Sequence, residues 1–392
     1  MQYDFNKSID RKNTNSIKYD FAIELGKPAD VLPLWVADMD FTTVPEVTEA
    51  LVKASKHGIF GYTDVKEEYF NTLKKWFSSH YHWNIERKWL IKTPGVVFAI
   101  AMAIRTFTKE GDTVLIQRPV YYPFSDSITS NNRVLINSPL VYENNSYRMD
   151  YDDFEKKIIN HNVKLFILCN PHNPVGRVWT KEELMKLGDI CVKHDVLVVS
   201  DEIHADFIYP DHVHTVFASI KPEYLERTIT CTAPSKTFNL AGLQVSNILV
   251  GNPTLKAALK EEIRKTGYSQ LNTMGLIACQ AAYEYGEEWL SGLKQYLLEN
   301  LKYAKDYLKH NLPQLKLVEP EGTYLLWVDF NALHLSEEAL EDLILHKAHL
   351  WLDGGTMFGP EGSGFQRMNI ACQRDILVRA LEQLKMAIHN LN

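Results

Sequence analysis

A lysine, an aspartate and an asparagine stand where strand-like runs of this sequence give way to turns. Lys236 follows a short β-branched run and lies in a turn with proline and serine, so its amine is expected to enter a cleft. Asp201 ends an apolar run, and Asn173 lies in the polar turn Asn170–Gly176. A lysine amine can hold an aldehyde as a Schiff base, a carboxylate can keep a ring nitrogen protonated, and an amide can hydrogen-bond a ring oxygen.

These three groups are the parts that a pyridoxal 5′-phosphate (PLP) site requires. A Ser-Lys pair in a loop is by itself usually a solvated surface feature, so this prediction depends on the three stretches occurring together. A fourth stretch offers a place for the phosphate. Pro94 and Gly95 directly precede an apolar helix, and the unpaired amides at such a helix start can bind a phosphate. The alternative for this stretch is a helix start with nothing bound.

The composition favours an enzyme with a small-molecule partner. The chain has 392 residues, 45% of them hydrophobic, and a formal net charge of -7 with no basic run. Nucleic acids and anionic membranes bind clustered Lys and Arg, so neither is expected as a partner. Residues 1–12 are polar, unlike a signal peptide, and no apolar stretch approaches a membrane-spanning length. We therefore expect a cytoplasmic protein.

The cysteines agree with a reducing compartment. Their number is odd and no CxxC spacing occurs, which argues against a disulfide framework and against a zinc site. We expect reduced core thiols and no bound metal. The five residues are Cys169, Cys191, Cys231, Cys279 and Cys372.

Apolar strand-like runs alternate with helical patterns through the middle of the chain. The runs 164–169 and 196–200 are apolar throughout, which is typical of strands buried on both faces of a parallel sheet. Ligands of such sheets bind beyond the carboxyl ends of the strands, and Asn170, Asp201 and Pro234 all lie at such ends. The sequence therefore predicts an α/β domain with a mostly parallel central sheet and a pocket at one edge of it.

The pattern changes after residue 251 to long helices, followed by a short β region at 324–329 and a final helix from Asp375. This is typical of a smaller α+β domain. Residues 31–41 are apolar but interrupted and predict an extended arm that lies over another part of the chain. The expected organisation is an N-terminal arm and part of the small domain over 1–45, a large PLP-binding domain over 46–286, and a C-terminal small domain over 287–392.

With these residues in place, the chain resembles the fold type I PLP enzymes of the aminotransferase class I and II superfamily over essentially its full length. More narrowly it resembles the MalY/PatB group of cystathionine β-lyases, which are carbon–sulfur (C-S) lyases. Three spaced motifs rarely occur together in this order by accident. The stretches that carry the resemblance are Leu34–Phe41, Arg118–Phe124, Asn170–Gly176, Asp201–Asp206 and Ala233–Asn239.

The resemblance implies a role for each matching residue. Lys236 would hold the cofactor aldehyde, and Asp201, thirty-five positions earlier, would pair with the ring nitrogen. Arg367 would bind the substrate α-carboxylate with two parallel hydrogen bonds, which lysine does less well. The cofactor would also be held by Asn173, by Tyr121 stacked on the ring, and by Ser235 with the backbone amides of Val96 and Val97 at the phosphate, while Tyr122, Val36 and Ala37 would contact the substrate.

The resemblance also implies a dimer with shared active sites. Tyr62 matches a tyrosine that reaches the cofactor of the neighbouring subunit. It lies in the turn Gly61–Thr63 between two helical patterns, where its own chain offers it no obvious core.

Three positions depart from the typical aminotransferase pattern. Gln244 stands where an arginine is typical, Ala233 where a serine is typical, and His204 where a tyrosine is typical. The phosphate site is therefore less cationic than usual. His204 has two interpretations, since it can contact the cofactor or be a packed, hydrogen-bonded core histidine.

The predicted function is a PLP-dependent β-lyase that cleaves cystathionine or a related cysteine S-conjugate to a thiol, pyruvate and ammonia. In this reaction the neutral amine of Lys236 removes the Cα proton and a thiolate leaves Cβ. The first alternative is an aminotransferase, in which the proton returns to the cofactor and no group leaves. The second is a non-catalytic PLP-binding regulatory or interaction protein on the same scaffold. A nicotinamide enzyme is disfavoured because no Gly-x-Gly-x-x-Gly opens a helix after a strand.

Overall fold

A seven-stranded sheet forms the centre of the computed structural model, which describes residues 3–391 and leaves Met1, Gln2 and Asn392 outside the description. In space the strands follow the order β1-β7-β6-β5-β4-β2-β3. All neighbours are parallel except that β7 runs antiparallel to both β1 and β6. The sheet is therefore mostly parallel, as predicted. Its strands are β1 (Leu90–Thr93), β2 (Thr113–Ile116), β3 (Val134–Asn137), β4 (Leu165–Cys169), β5 (Leu197–Asp201), β6 (Thr228–Thr232) and β7 (Ser246–Val250).

Burial explains why the central strands read as unbroken apolar runs. Every residue of β4, β6 and β7 is buried, because helices cover both faces of the sheet. The strand β7 was not predicted as an element of its own. Its start is polar, with Ser246 and Asn247, and one of its two antiparallel partners, β1, is distant in sequence.

A four-stranded antiparallel sheet lies in the C-terminal part of the chain. Its spatial order is β8-β9-β11-β10. Two short strand pairs lie elsewhere: residues 32–33 pair with 350–351, and residues 141–143 pair with 146–148. The strands of the antiparallel sheet are β8 (Lys316–Leu317), β9 (Leu325–Asp329), β10 (Asp353–Gly354) and β11 (Phe365–Asn369).

The predicted helices include the one that follows Gly95 and the final one near Asp375, and the structure contains both. Thr180 caps the helix that follows it, and Glu183 completes a capping box with it. Three short helices were not predicted, namely α4, α7 and the single turn α8, which contains Lys236 where a turn was expected. The helices are α1 (Pro45–His57), α2 (Glu67–Tyr81), α3 (Val96–Phe107), α4 (Pro123–Thr129), α5 (Tyr151–His161), α6 (Lys181–Lys193), α7 (Pro222–Leu225), α8 (Pro234–Thr237), α9 (Pro253–Lys265), α10 (Thr273–Tyr285), α11 (Glu287–Asn311), α12 (Glu337–Asp342) and α13 (Arg374–His389).

The arm at residues 31–41 is extended and lies over the edge of the central sheet, as predicted. Side chains from several elements hydrogen-bond its backbone: the amide of Asn369 donates to the carbonyls of Val36 and Asp38, and that of Asn239 donates to the carbonyl of Met39. Asp40 of the arm is buried, and the ammonium of Lys18 donates a hydrogen bond to its carboxylate at 2.8 Å. Residues before the arm therefore help to hold it in place.

One hydrophobic core contains residues from the arm, from α2 and α10, and from α11 and α13. Packing is continuous across the predicted boundaries at 45/46 and 286/287, so the three-part division of the chain stays a prediction. All five cysteines are free and buried, as predicted. Within residues 3–391 no helix is both long and apolar enough to cross a membrane.

Candidate active site

Three neighbouring parallel strands bring the predicted site residues together. Asp201 ends β5, and in register it lies opposite Cys169 of β4 on one side and Cys231 of β6 on the other. The turn with Asn173 follows β4, and the single helical turn with Lys236 follows β6. Because parallel strands end at the same edge of the sheet, residues far apart in sequence meet there.

A cavity of about 180 Å³ opens at this edge. Of the thirteen predicted site residues, only Tyr62 is absent from its lining. The lining also contains residues that the sequence did not single out, among them Trp35, Ile203 and Asp353. The predicted residues in the lining are Val36, Ala37, Val96, Val97, Tyr121, Tyr122, Asn173, Asp201, His204, Ser235, Lys236 and Arg367.

The amine of Lys236 lies inside the cavity and donates a hydrogen bond to the carbonyl oxygen of Ala37, 2.7 Å away. Burial and the cation of Arg367 lower the pKa of Lys236 to about 8, against the opposing effect of Asp38 and Asp201. About a tenth of the amine is therefore neutral at pH 7, far more than for a lysine with an ordinary pKa. A neutral amine is what both Schiff-base formation and proton removal need.

Asp201 is a buried carboxyl group with one oxygen bound by the backbone amide of Ile203 at 3.1 Å. Burial raises the pKa of Asp201 to about 7, and the neighbouring Glu202 acts in the same direction. A cationic ring nitrogen beside this group would stabilise its ionised form. Asp201 would therefore be more stable as a carboxylate when a protonated heterocycle is bound beside it.

Arg367 is buried and held by three acceptors. It donates to Oδ1 of Asn173 at 2.9 Å and to the carbonyl of Trp35 at 3.1 Å, and it forms a salt bridge with Asp353. Its Nε–H is buried and has no partner. A buried guanidinium with an unused donor is suited to a carboxylate ligand.

The sequence analysis does not identify Asp353 as a site residue, although Asp353 follows an apolar run as Asp201 does. It lies opposite Arg367 in the antiparallel pair of β10 and β11. That pairing joins residues fourteen positions apart, and the sequence alone does not reveal it. The acid is buried and belongs to the cavity wall.

His204 and Tyr121 line the same cavity, and burial shifts their pKa values in opposite directions. Burial, with the cations of Lys236 and Arg367, lowers the pKa of His204 well below its ordinary value, so the ring is neutral. Its Nδ1 is buried without a partner. Burial raises the pKa of Tyr121 above its ordinary value, so the phenol stays protonated. Both rings can therefore contact a ligand as neutral groups.

The start of α3 and the residue before Lys236 also line the cavity. Gly95 precedes α3, and the space where its side chain would lie is open. The first amides of a helix have no partner within the helix, so those of Val96 and Val97 are free to bind an anion. Ser235 adds a hydroxyl, and Gln244, which replaces the typical arginine, lies exposed at the same cavity.

Tyr62 lies outside this cavity. Its side chain is 99% exposed on the loop between α1 and α2, where Ile59 and Phe60 are also exposed. None of the residues 3–391 covers it.

The donors around the cavity fit PLP. A buried amine with a lowered pKa faces the interior, a carboxyl group ends the strand beside it, and free helix amides lie where a phosphate can bind. The unpartnered buried Nε of Arg367 remains for a substrate anion. The arrangement can thus hold an aldehyde cofactor with a ring nitrogen and a phosphate, together with an amino acid.

Comparisons with known proteins agree with this geometry. The sequence model of the aminotransferase class I and II family matches residues 29–384. Cystathionine β-lyase PatB of Bacillus subtilis is 41% identical over 384 residues, which cover 98% of this chain and 99% of that protein. Cystalysin from Treponema denticola, whose crystal structure contains a pyridoxal 5′-phosphate cofactor, is 41% identical with a TM-score of 0.96 and full coverage of both chains. The PLP-bound C-S lyase from Staphylococcus hominis is 34% identical with a TM-score of 0.93, covering 99% of this chain and 98% of that one.

Proposed function

Because this chain belongs to the aminotransferase class I and II family, we propose that it is a PLP-dependent C-S β-lyase. It cleaves cystathionine or a related cysteine S-conjugate to a thiol, pyruvate and ammonia, and the thiol from cystathionine is homocysteine. The observation that carries the proposal is the meeting of Lys236, Asp201, Asn173 and Arg367 in one cavity. The reaction type is supported by the full-length similarity to proteins named for carbon–sulfur cleavage.

PLP, when bound, supplies a sink for the electrons that are left on the substrate when the Cα proton is removed. Lys236 would hold its aldehyde, and Asp201 would hold its ring nitrogen in the protonated form. Asn173 would hydrogen-bond the ring oxygen, and Tyr121 would pack on the ring. The phosphate would lie at the amides of Val96 and Val97 and the hydroxyl of Ser235.

Arg367 orients the substrate in this proposal. Its free Nε–H and its remaining donors would take the α-carboxylate, while Asn173, Asp353 and the carbonyl of Trp35 keep the guanidinium in place. Val36, Ala37 and Tyr122 form the adjacent wall. A substrate clamped by its carboxylate presents its Cα proton in a defined direction.

Lys236 is the general base. Its pKa of about 8 leaves a neutral fraction of the amine at pH 7 to 8, and the carbonyl of Ala37 is a hydrogen-bond acceptor for it. Proton removal by a neutral amine leaves an ammonium, which can then protonate the leaving thiolate. The proton removed from Cα can therefore leave with the thiol.

The proposed assembly is a cytoplasmic homodimer in which Tyr62 of each chain reaches the site of the other. The exposure of Tyr62, Ile59 and Phe60 supports this, because a monomer gains nothing from three exposed apolar side chains on one loop. The five buried free thiols support a reducing compartment.

The test is to incubate the purified protein with cystathionine, and separately with cysteine, with no keto acid added, and to measure pyruvate. We expect pyruvate and free thiol in equal amounts, and none from the Lys236→Ala variant. Amino-group transfer that occurs only when a keto acid is supplied would instead show an aminotransferase. Bound PLP without either reaction would favour the regulatory alternative.

A further inference from the structure

Asp206 is a buried carboxylate beside α8, the single helical turn that contains Lys236. It is 7% exposed and does not line the cavity. Three neutral groups donate to it: Trp76 Nε1 at 3.1 Å, the hydroxyl of Tyr81, and the hydroxyl of Thr237 at 2.6 Å. Within residues 3–391 no cation forms a salt bridge with it. Burial of a carboxylate without a cation is costly, so its three hydrogen bonds offset a penalty that an apolar residue would not incur.

Thr237, one of these donors, directly follows Lys236 in the single turn α8. Successive side chains of a helix point about 100° apart, so a contact that holds Thr237 also sets the direction of Lys236. One helical turn has little stability of its own. The orientation of Lys236 therefore depends on contacts from outside α8, and the Thr237–Asp206 hydrogen bond is a buried one.

The other two donors connect Asp206 to a rigid support. Trp76 and Tyr81 both belong to α2, and both side chains are held in aromatic contacts. Trp76 packs edge-on against Phe238, which follows Thr237, with ring centroids 5.5 Å apart. Burial, with the charge of Asp206, raises the pKa of Tyr81 well above its ordinary value, so its hydroxyl remains a donor. The carboxylate thus joins α2 to α8.

We propose that Asp206 is a positioning residue for Lys236, which acts by holding the hydroxyl of Thr237 against the support formed by Trp76 and Tyr81. The role rests on the proposed function, since it concerns the amine that binds PLP. It requires that loss of the Thr237–Asp206 hydrogen bond changes the chemistry of Lys236, beyond any change in the stability of the fold.

Thr237→Val tests this, because it keeps the shape of the side chain and removes only the hydroxyl. In the cofactor-free protein we expect the rate at which PLP forms a borohydride-stable bond at Lys236 to fall by about tenfold, since a misplacement of about 1 Å can cost up to about 10²-fold. Thr237→Ser, which keeps the hydroxyl, should remain within about twofold of the wild type. Asp206→Ala should slow uptake at least as much as Thr237→Val, and the double variant should be no slower than Asp206→Ala alone.

Thr228→Val is the matched control. Thr228 is also buried, and it begins β6, at the end of the strand away from Lys236. Its hydroxyl likewise donates one hydrogen bond of 2.6 Å, but to the carbonyl of Tyr224. Urea unfolding should show a similar loss of stability for both valine variants, with slow uptake only in Thr237→Val. Equal uptake in the two variants, or uptake by Thr237→Val within about twofold of the wild type, would overturn the proposal. If Asp206→Ala does not fold, the threonine variants still decide the question.

A second measurement separates this proposal from the proposed function. Trace acetylation of the cofactor-free protein, followed by peptide mapping, reports the reactivity of the Lys236 amine without PLP. A wild type that takes up no PLP at Lys236 would contradict the proposed function. The acetylation rates of Thr237→Val and Thr228→Val would still support or contradict the role of Asp206.

Discussion

The cavity wall and the loop that carries Tyr62 differ most in how far their own chain covers them. Arg367 is 3% exposed and Asp201 is 5% exposed, whereas Tyr62 is 99% exposed. The cavity residue with the most partners is Arg367, which binds Asn173, Asp353 and the carbonyl of Trp35. The cavity residues are thus covered by their own chain, whereas Tyr62 is left for a second chain to cover.

In the covered region the proposed cofactor and carboxylate donors come from one chain and are buried, as Asp201 and Arg367 are. The exposed region has no such partner and carries two further apolar side chains, Ile59 and Phe60. If Tyr62 acts at an active site, that site belongs to another copy. Experiments on the two regions should therefore give different results. A variant of the cavity should lose activity in its own chain, whereas a variant of Tyr62 should regain activity when it is mixed with a different inactive chain.

The largest effect is expected for Lys236→Ala. The wild-type protein should be yellow as purified, and borohydride should attach the cofactor to Lys236. The variant should lose at least about 10³-fold in lyase turnover, because it lacks both the covalent attachment and the general base. Peptide mapping and pyruvate release measure the two losses. The exposed Lys309→Ala variant should retain both properties, and a label on a lysine other than 236 would contradict the assignment.

A smaller loss is expected for Arg367→Lys. A point charge replaces a fork with two parallel donors, and the loss of a charged hydrogen bond costs on the order of 2 kcal/mol, or about 30-fold in kcat/KM. PLP affinity should change far less. Steady-state kinetics and PLP titration of the same preparation compare the two quantities. Arg264→Lys, at an exposed ion pair on α9, is the matched control, and an unchanged kcat/KM for Arg367→Lys would refute its role.

The sequence predicts which residues line the cavity better than it predicts the contacts between them. Asn173, Asp201 and Lys236 line one cavity, as the sequence predicts, because each lies at or just after the end of a strand-like run and parallel strands end at one edge of the sheet. Asp353 was missed because its contact with Arg367 arises from the antiparallel pairing of β10 and β11. Similarly, the single turn α8 depends on contacts beyond its own four residues, which local patterns do not contain.

The pH dependence of cofactor uptake should sharpen the description of the covered region. Burial lowers the pKa of Lys236 to about 8, so the neutral fraction of its amine rises about tenfold from pH 7 to pH 9 and then levels off. The rate of PLP uptake by the cofactor-free protein should follow that fraction. An exposed lysine with an ordinary pKa would instead give a rate that still climbs about tenfold per pH unit at pH 9. Stopped-flow absorbance at a series of pH values distinguishes the two profiles.

The smallest expected signal is the regain of activity when two inactive variants, Tyr62→Phe and Lys236→Ala, are mixed as subunits. If Tyr62 serves the site of the other chain, a heterodimer has one site with both wild-type groups and one site that lacks both. Random remixing makes about half of the dimers heterodimers, so about a quarter of the wild-type activity should return.

The result depends on dissociation that is reversible and on heterodimers that are shown to be present, for example by two distinguishable affinity tags. The exposed Tyr285→Phe variant, remixed with Lys236→Ala, should return only what its own intact sites supply. If Tyr62 instead packs against its own chain, its defect stays with its own Lys236. Activity no higher than the sum of the unmixed variants would then contradict the shared-site proposal. It would also mean that the Tyr62 loop, like the cavity, acts within its own chain.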